Sequence, residues 1–382
     1  MILSAIILSS VYLVLCFYLS CGLKNAEKKT PVKNTDKNVS VVVCARNEEK
    51  NIAELLDCLL NQTYHRNKTQ IIVVNDRSTD KTFDIALSYK DKFENFLPIN
   101  VEETQNKISP KKFAFQEGMR RVNGEIVVQT DADSFVPPDW IETIIAPFFD
   151  ESVALVQGIV KYRFEKPVSF FLEKYQTLDF LSHGIVAAAG IGKNIPLNAN
   201  ANNFAFRREA YENSGGYGNL INAAGGDDGL LMQKIWQSGK KICFNADCVV
   251  ETRPEYSWKD LLNQRKKWAS ETRFYLPKQS AVLSLIFIFY CFTLLSLLSL
   301  PVIFMPVRNY FIVFSLFVVK ILGESLFMYK GLLIFGEKKL FFHIIWVSPI
   351  NLFLTVYSVL SGIFGKFNWK GGEFASKIKL PL

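Results

Sequence analysis

The sequence predicts an α/β domain set between membrane helices, on three observations. Of the 382 residues, 49% are hydrophobic and 14% aromatic, with 32 Phe, and the apolar residues concentrate at the two ends. Between them, from about residue 24 to about 278, lies a stretch of ordinary globular composition, long enough for one large α/β domain or two small ones. Within that stretch, short β-branched runs alternate with amphipathic helical patterns, as in a parallel sheet with crossover helices.

The ends come first. Residues 2–23 carry no charge and are long enough to span a bilayer. They lack a basic n-region and a clear A-x-A-like cleavage site, so residues 1–23 read as an uncleaved anchor. Lys24, Lys28, Lys29, Lys33 and Lys37 follow directly. By the positive-inside rule the middle domain, 24–278, then faces the cytoplasm of a bacterial inner (plasma) membrane. The C-terminal stretch 279–365 reads as about three further spans, near 281–305, 310–334 and 341–365, with Pro301 and Pro306 kinking the end of the first. Lys320 and Glu324 fall mid-span at i,i+4 spacing, where they neutralise each other on one helix face or mark shorter re-entrant pieces. Four crossings put the basic tail 366–382, with Lys366, Lys370, Lys377 and Lys379, outside. The positive-inside rule puts it inside, and both readings stay open.

Charge and cysteine usage narrow the function classes. The formal charge of +8 reads as juxtamembrane lysines and argues against nucleic-acid binding. Seven scattered Cys without Cys-x-x-Cys spacing argue against a disulfide framework or a zinc site. The three His (His65, His183, His343) lie far apart in sequence, against a His-rich metal site.

In chain order, Val39–Ala45 is a buried parallel strand ending in Arg46-Asn47-Glu48-Glu49. An amphipathic helix follows, with Ile52, Leu55, Leu56, Leu59 and Leu60 apolar. Gln70–Asn75 is a second strand, ending in Asp76-Arg77-Ser78-Thr79-Asp80, where Ser78 or Thr79 caps the next helix. This is a Rossmann-like beginning without a Gly-rich fingerprint, and polar residues collect at the strand ends where open α/β sheets bind ligands. Lys111 and Lys112 then open a helix, where two cations oppose the helix dipole unless an anion is present.

Val127–Asp133 is the stretch around which the chain is organised: a short strand running into Asp131 and Asp133, one residue apart. A hard divalent ion takes oxygen ligands and often keeps one or two protein carboxylates, drawing the rest from phosphates and water. Residues near 168–186 form an amphipathic helix through Phe171, Tyr175, Leu178, Leu181 and Ile185, for the core or the membrane face. Gly190–Phe206, with Asn198, Asn200, Asn202 and Asn203, suits a substrate-lining loop. Asp227 and Asp228 stand at a helix start, as caps, as catalytic acids or both. Gln264-Arg265-Lys266-Lys267-Trp268 lies on a basic aromatic helix near 257–276, beside the first C-terminal span.

In their order, Ala-Arg-Asn-Glu-Glu, Val-Asn-Asp-Arg-Ser-Thr-Asp, Pro-Lys-Lys-Phe-Ala-Phe, Thr-Asp-Ala-Asp, Gly-Asp-Asp and Gln-Arg-Lys-Lys-Trp resemble the membrane-bound family 2 glycosyltransferases. The likeness covers about residues 38–276 and extends to the membrane layout. It implies a GT-A fold and the following roles. Asp76 and the Ala45–Glu48 turn, with Asn47, hold the nucleotide base and ribose, and Lys111 is the phosphate-side lysine. Asp131 and Asp133 bind a metal–diphosphate, with Mg2+ or Mn2+ as the metal and Asp133 the closer ligand. Asp228 is the general base for the acceptor hydroxyl. Asp227, Gln264, Lys267 and Trp268 face diphosphate and acceptor. Two positions depart from the family pattern. Lys267 replaces an arginine and loses its bidentate fork, for which Arg265 is a substitute, and Asp227 replaces a glutamate.

The expected reaction is an inverting, metal-dependent transfer of a sugar, UDP-linked, to a lipid or membrane-associated hydroxyl. A processive polysaccharide synthase resembling poly-N-acetylglucosamine synthase is the alternative, and a non-catalytic membrane scaffold is the reading from another class.

Overall fold

A computed structural model describes residues 2–26, 36–103, 109–222, 226–299, 307–369 and 372–375. Lys28, Lys29, Lys33, Pro301, Pro306, Lys370, Lys377 and Lys379 lie outside the described residues.

The chain opens with α1 (Ile2–Gly22), then β1 (Val39–Ala45), α2 (Ile52–Leu60), β2 (Thr69–Asp76), α3 (Thr82–Leu87) and β3 (Phe96–Val101). Next come α4 (Pro110–Met119), β4 (Ile126–Asp131), β5 (Ser134–Phe135), α5 (Trp140–Ile145), β6 (Val153–Tyr162) and α6 (Phe170–Gly192). They are followed by β7 (Phe204–Arg207), α7 (Arg208–Asn213), α8 (Gly229–Gln237), β8 (Lys241–Thr252) and α9 (Trp258–Glu271). The last elements are α10 (Pro277–Leu298), α11 (Val307–Ile334), α12 (Ile344–Phe364), β9 (Lys366–Trp369) and β10 (Gly372–Ala375).

Eight strands form one mixed sheet in the order β3-β2-β1-β4-β7-β6-β8-β5. The first four are parallel; β7 runs antiparallel to both β4 and β6. The chain winds outward from β1 to β2 and β3, then returns to place β4 on the other side of β1. That makes the crevice between β1 and β4 a topological switch point, where ligands bind in open α/β sheets. Register aligns the strand ends there: Cys44 lies opposite Asp131 and Ala45 opposite Asn75.

Both faces of the parallel strands are covered, which is why they read as continuous apolar runs rather than alternating ones. Val39, Val41 and Val43 join the core built with Ile52, Leu55, Leu56 and Leu59 of α2. Val42 turns the other way, into the core of Ala114 and Phe115 on α4. Each such side chain contributes about 1.5–3 kcal/mol when fully buried.

Among the described residues, four helices are long and apolar enough to cross a membrane: α1, α10, α11 and the stretch containing α12. They match the four expected spans, although α10 begins at Pro277 and ends at Leu298, earlier than anticipated. Lys320, fully buried, reaches Glu324 at 2.6 Å and the Ser348 carbonyl and hydroxyl at 2.9 and 2.8 Å, so the mid-span pair does neutralise itself. The tail from Lys366 forms two short antiparallel strands.

The amphipathic helix expected near 168–186 runs on to Gly192 as α6, with Leu172 N–H donating to Ser169 Oγ at its start. It takes the core role, packing on β6 and β8 on one side and on α1, α11 and α12 on the other. The ends of α1 and α6 meet backbone to backbone. A Cβ on Gly192 would lie 2.0 Å from the Gly22 carbonyl oxygen, and one on Gly22 would lie 2.2 Å from that of Ala189. Glycine at both positions therefore lets α1 rest directly on α6.

Candidate active site

Two strand-exit loops build the first wall. After β1 and β2 the chain turns through Asn47 and Arg77, both at φ +53°, a left-handed conformation uncommon outside glycine and concentrated at functional sites. The loops are laced together: Asn47 N–H donates to Ser78 Oγ at 3.0 Å, and Thr79 N–H donates to Asn47 Oδ1 at 2.9 Å. This corrects two expectations. Ser78 and Thr79 do not cap α3; Asp80 Oδ1 accepts from Thr82 N–H at 3.0 Å instead. Asn47 does not line the cavity; it braces the two loops, because its short amide reaches a neighbouring backbone more readily than open solvent.

The lacing leaves Asp76 facing inward. It is buried, accepts from Arg77 Nε at 2.9 Å and has Arg46 at 3.9 Å. Ala45, Glu48 and Asp76 line a cavity of about 750 Å³ together with Lys111, Asp131, Asp133, Asp227, Asp228, Gln264, Arg265, Lys267 and Trp268. Apart from Asn47, every expected site residue thus converges on one space.

At its centre Lys111 Nζ lies 2.8 Å from Asp131 Oδ1 and 2.6 Å from Asp227 Oδ2. Burial opposes the Lys111 charge, but the two carboxylates more than offset it and hold its pKa above the ordinary lysine range. Burial likewise pushes the Asp227 carboxyl up, and Lys111 and Lys267 overcome it, bringing it to about 2. Lys112, the other lysine of the pair, turns away. It is fully buried, donates to the Leu220 carbonyl at 2.8 Å and stacks over Tyr217, so it needs no anion to explain it.

Asp228 precedes α8 and behaves differently. Its Oδ1 accepts from Gly229 N–H at 2.6 Å and its Oδ2 from Ala201 N–H at 2.8 Å. Burial, then the neighbouring Asp227 charge, push its pKa up to about 6. Capping and a place on the cavity wall therefore coincide in one residue. Two adjacent carboxylates with pKa values driven apart mark an acid–base division of labour.

The Asn-rich stretch divides. Asn198, Asn200 and Asn202 line the cavity. Asn203 is fully buried in the core, accepting from Trp140 Nε1 at 3.0 Å and donating to the Ile159 and Cys248 carbonyls. On α9, Gln264, Lys267 and Trp268 line the cavity. Arg265 is largely engaged within the protein: Asp179 holds its Nε at 2.5 Å, its Nη1 donates to Gln264 Oε1 and its plane stacks 4.1 Å from the Trp268 ring, leaving Nη2 buried without a partner. Lys267 is the residue left near the acids, its pKa lowered by burial and by Lys111.

The lining residues that the sequence did not single out include Arg253 and Glu271. Arg253, at the end of β8, bonds Glu54 at 2.8 Å and Glu165 at 2.9 Å and donates to the Asp133 carbonyl at 3.2 Å, clamping the Asp131–Asp133 turn. Its place just beyond a strand's end was the available signal. Glu271 stands one helical turn after Lys267 on α9, and burial, then Asp228, raise its pKa to about 8. The i,i+4 spacing was legible; its burial was not.

Among the described residues no three His, Cys, Asp or Glu side chains form a ready-made metal cluster. The carboxylates nonetheless fit a divalent ion that draws other ligands from a diphosphate: Asp131 and Asp227 already converge on a cation, the Lys111 ammonium, and Asp133 lines the same space.

Comparison with known proteins gives the same picture. The Glycosyl transferase family 2 profile matches residues 40–215. A probable glycosyltransferase, YdaM, of Bacillus subtilis is 26% identical over 242 residues, 63% of this chain and 56% of that protein. The poly-beta-1,6-N-acetyl-D-glucosamine synthase of Staphylococcus aureus is 26% identical over 46% of this chain and 40% of its own length. The matched region thus spans about half the length of these curated relatives. Among solved structures, a mannosyltransferase of Pyrobaculum calidifontis in complex with GDP-Man and Mn2+ superposes with a TM-score of 0.57, covering 91% of this chain and 97% of that one at 18% identity, a likeness of fold. Residues 40–215 are a glycosyl transferase family 2 domain on a GT-A-like sheet.

Proposed function

We propose that this chain transfers a sugar, with inversion, from a nucleoside-diphosphate donor (UDP-linked, as the family resemblance implies) to a hydroxyl at the membrane, with the catalytic domain on the cytoplasmic side. The observation that carries it is the convergence of Asp76, Lys111, Asp131, Asp133 and Asp228 on one cavity at the β1/β4 switch point. Asp76 and the braced loop after β1 receive the nucleoside. Asp131 and Asp133 would hold Mg2+ or Mn2+, which would supply positive charge to the departing diphosphate. Lys111 and Lys267, both lining the cavity, add positive charge on the phosphate side. Asp228 accepts the acceptor's proton as the oxygen attacks in line, on the face opposite the leaving group. One base and one departing diphosphate suffice; a hydrolase would need two carboxylates flanking the bond.

The test is nucleotide release by the protein in lipid, across UDP- and GDP-sugars, with Mg2+, Mn2+ or chelator. Metal-dependent release from one donor supports the reading; absence of release from a folded preparation with every donor and membrane lipid extract contradicts it.

A further inference from the structure

We propose that the acceptor is a membrane lipid whose reacting group is an uncharged hydroxyl, admitted to Asp228 from the bilayer side between α10 and α12. This rests on the glycosyl-transfer reading above and narrows its acceptor.

The cavity does not end at Asp228. It continues between two helices long and apolar enough to lie in a membrane, lined by Leu283, Ile286, Phe287 and, at one end, Tyr290 of α10 and by Asn351, Thr355 and Ser358 of α12, flanked by Leu354 and Val359. The polar α12 residues recur at i, i+4 and i+7, one face of the helix. They make a stripe of hydroxyl and amide groups opposite an apolar wall. Thr355 Oγ1 donates to Asn351 Oδ1 at 3.0 Å, and Tyr175 OH donates to the same oxygen at 3.2 Å. Ser358 Oγ is buried without a hydrogen-bond partner. Ser358 lines the cavity with Asn351 and Thr355, so a ligand lying there meets hydroxyl and amide groups along α12. An amphiphile matches both walls: chain against α10, polar group along α12.

The charges decide which amphiphile. Toward the membrane the lining carries the acids Asp179, Asp228 and Glu255 against Arg265 and Lys267, with Glu271 mostly neutral at pH 7 because its pKa is raised to about 8. Arg265 is held by Asp179 at 2.5 Å, and Lys267 lies among Glu271, Asp227 and Asp131. Neither α10 nor α12 contributes a lysine or arginine to the wall. A lipid monophosphate brings about −1.5 to −2 charges into a region where acids already outnumber cations, and it would lose its hydration without gaining a counterion. The base points the same way. A phosphate oxygen is deprotonated at neutral pH and attacks unaided, whereas a hydroxyl must give up its proton, and Asp228 is placed to take it. In the step, the hydroxyl oxygen bonds to the anomeric carbon as the bond from that carbon to the diphosphate oxygen breaks. The hydroxyl proton passes to the Asp228 carboxylate, and the nucleoside diphosphate leaves with the bonding pair.

The experiment uses the full chain in phosphatidylcholine vesicles containing diacylglycerol, ceramide or a polyprenyl phosphate, with the donor radiolabelled in the sugar. The inference predicts label in diacylglycerol or ceramide at least about tenfold faster than in polyprenyl phosphate. Preferred labelling of polyprenyl phosphate, or label in a growing water-soluble polymer, overturns it while leaving glycosyl transfer intact. No nucleotide release with any donor and any lipid overturns the glycosyl-transfer reading, and this inference with it. Ser358→Trp fills the gap and should raise the acceptor KM by about tenfold or more with the donor KM moving less than about twofold. An equal change in both contradicts the route. Ser358→Ala, which keeps the helix and only removes the hydroxyl, should raise the acceptor KM by a smaller factor, and no change with Ser358→Ala or Ser358→Trp also contradicts it.

Discussion

The two halves of the cavity are built from opposite materials. At the strand ends the walls are charged and short-ranged: loops laced by Asn47 and Ser78, a lysine between two carboxylates, an arginine clamping a turn. Toward the membrane the wall is a neutral stripe on α12 facing apolar side chains of α10. The charged half suits a reaction in which charge moves, and the neutral half suits a substrate that arrives without charge. The difference also separates what each half tolerates, since a lost charge changes chemistry in one and stability in the other.

The sharpest break in that comparison is Asp228→Asn. It keeps the shape and loses the proton acceptor, so kcat should fall by about 10²–10⁴-fold with donor KM within about twofold. Steady-state kinetics with donor and acceptor varied separately check this. Asp133→Ala acts on the same half by weakening the hold on the metal and diphosphate. It should raise donor KM by roughly tenfold or more and shift the metal titration to higher concentration.

In the membrane half the corresponding break is structural. Away from the cavity lining, Lys320→Met leaves the part-buried Glu324 with only the Tyr12 and Tyr290 hydroxyls as partners, a loss of up to about 3 kcal/mol, read as a lowered Tm in detergent. The double change of Lys320→Met with Glu324→Leu should recover most of it.

The pH profile sharpens the comparison further. Asp228 works as a carboxylate, and its pKa is raised to about 6. Transfer should therefore be full above that value and fall about tenfold per pH unit below it. Donor binding, governed by groups that stay charged there, should not show the same limb. The smallest effect expected is that of Lys267→Arg, which restores the family's fork and should change kcat/KM by less than about threefold. A dead Lys267→Arg variant would show that the site is shaped to the compact ammonium.

Much of the charged half was legible in the sequence because it sits at strand ends. Val39–Ala45 and Gln70–Asn75 are β-branched runs with polar exits, and parallel register alone brings Cys44 beside Asp131. The expected spans were legible by length and lack of charge. What the sequence did not disclose depends on which way a side chain turns. Lys111 and Lys112 are adjacent and alike, yet one faces two carboxylates and the other a core carbonyl. Arg265 looked like a phosphate ligand until Asp179, 86 positions away, took its guanidinium. Asn351, Thr355 and Ser358 vanish into the apolar average of their helix, and only the packing of α12 beside the site makes them a stripe.

The most direct test of the account is the comparison of wild type and Asp228→Asn in one assay. Both proteins, in lipid with acceptor, are given the preferred sugar nucleotide with Mg2+ or Mn2+, and both nucleotide release and donor affinity are measured. The account predicts metal-dependent release by wild type, its near-complete loss in Asp228→Asn, and donor affinity within about twofold. Release at the wild-type rate by Asp228→Asn would contradict it, because the proton would then be going elsewhere.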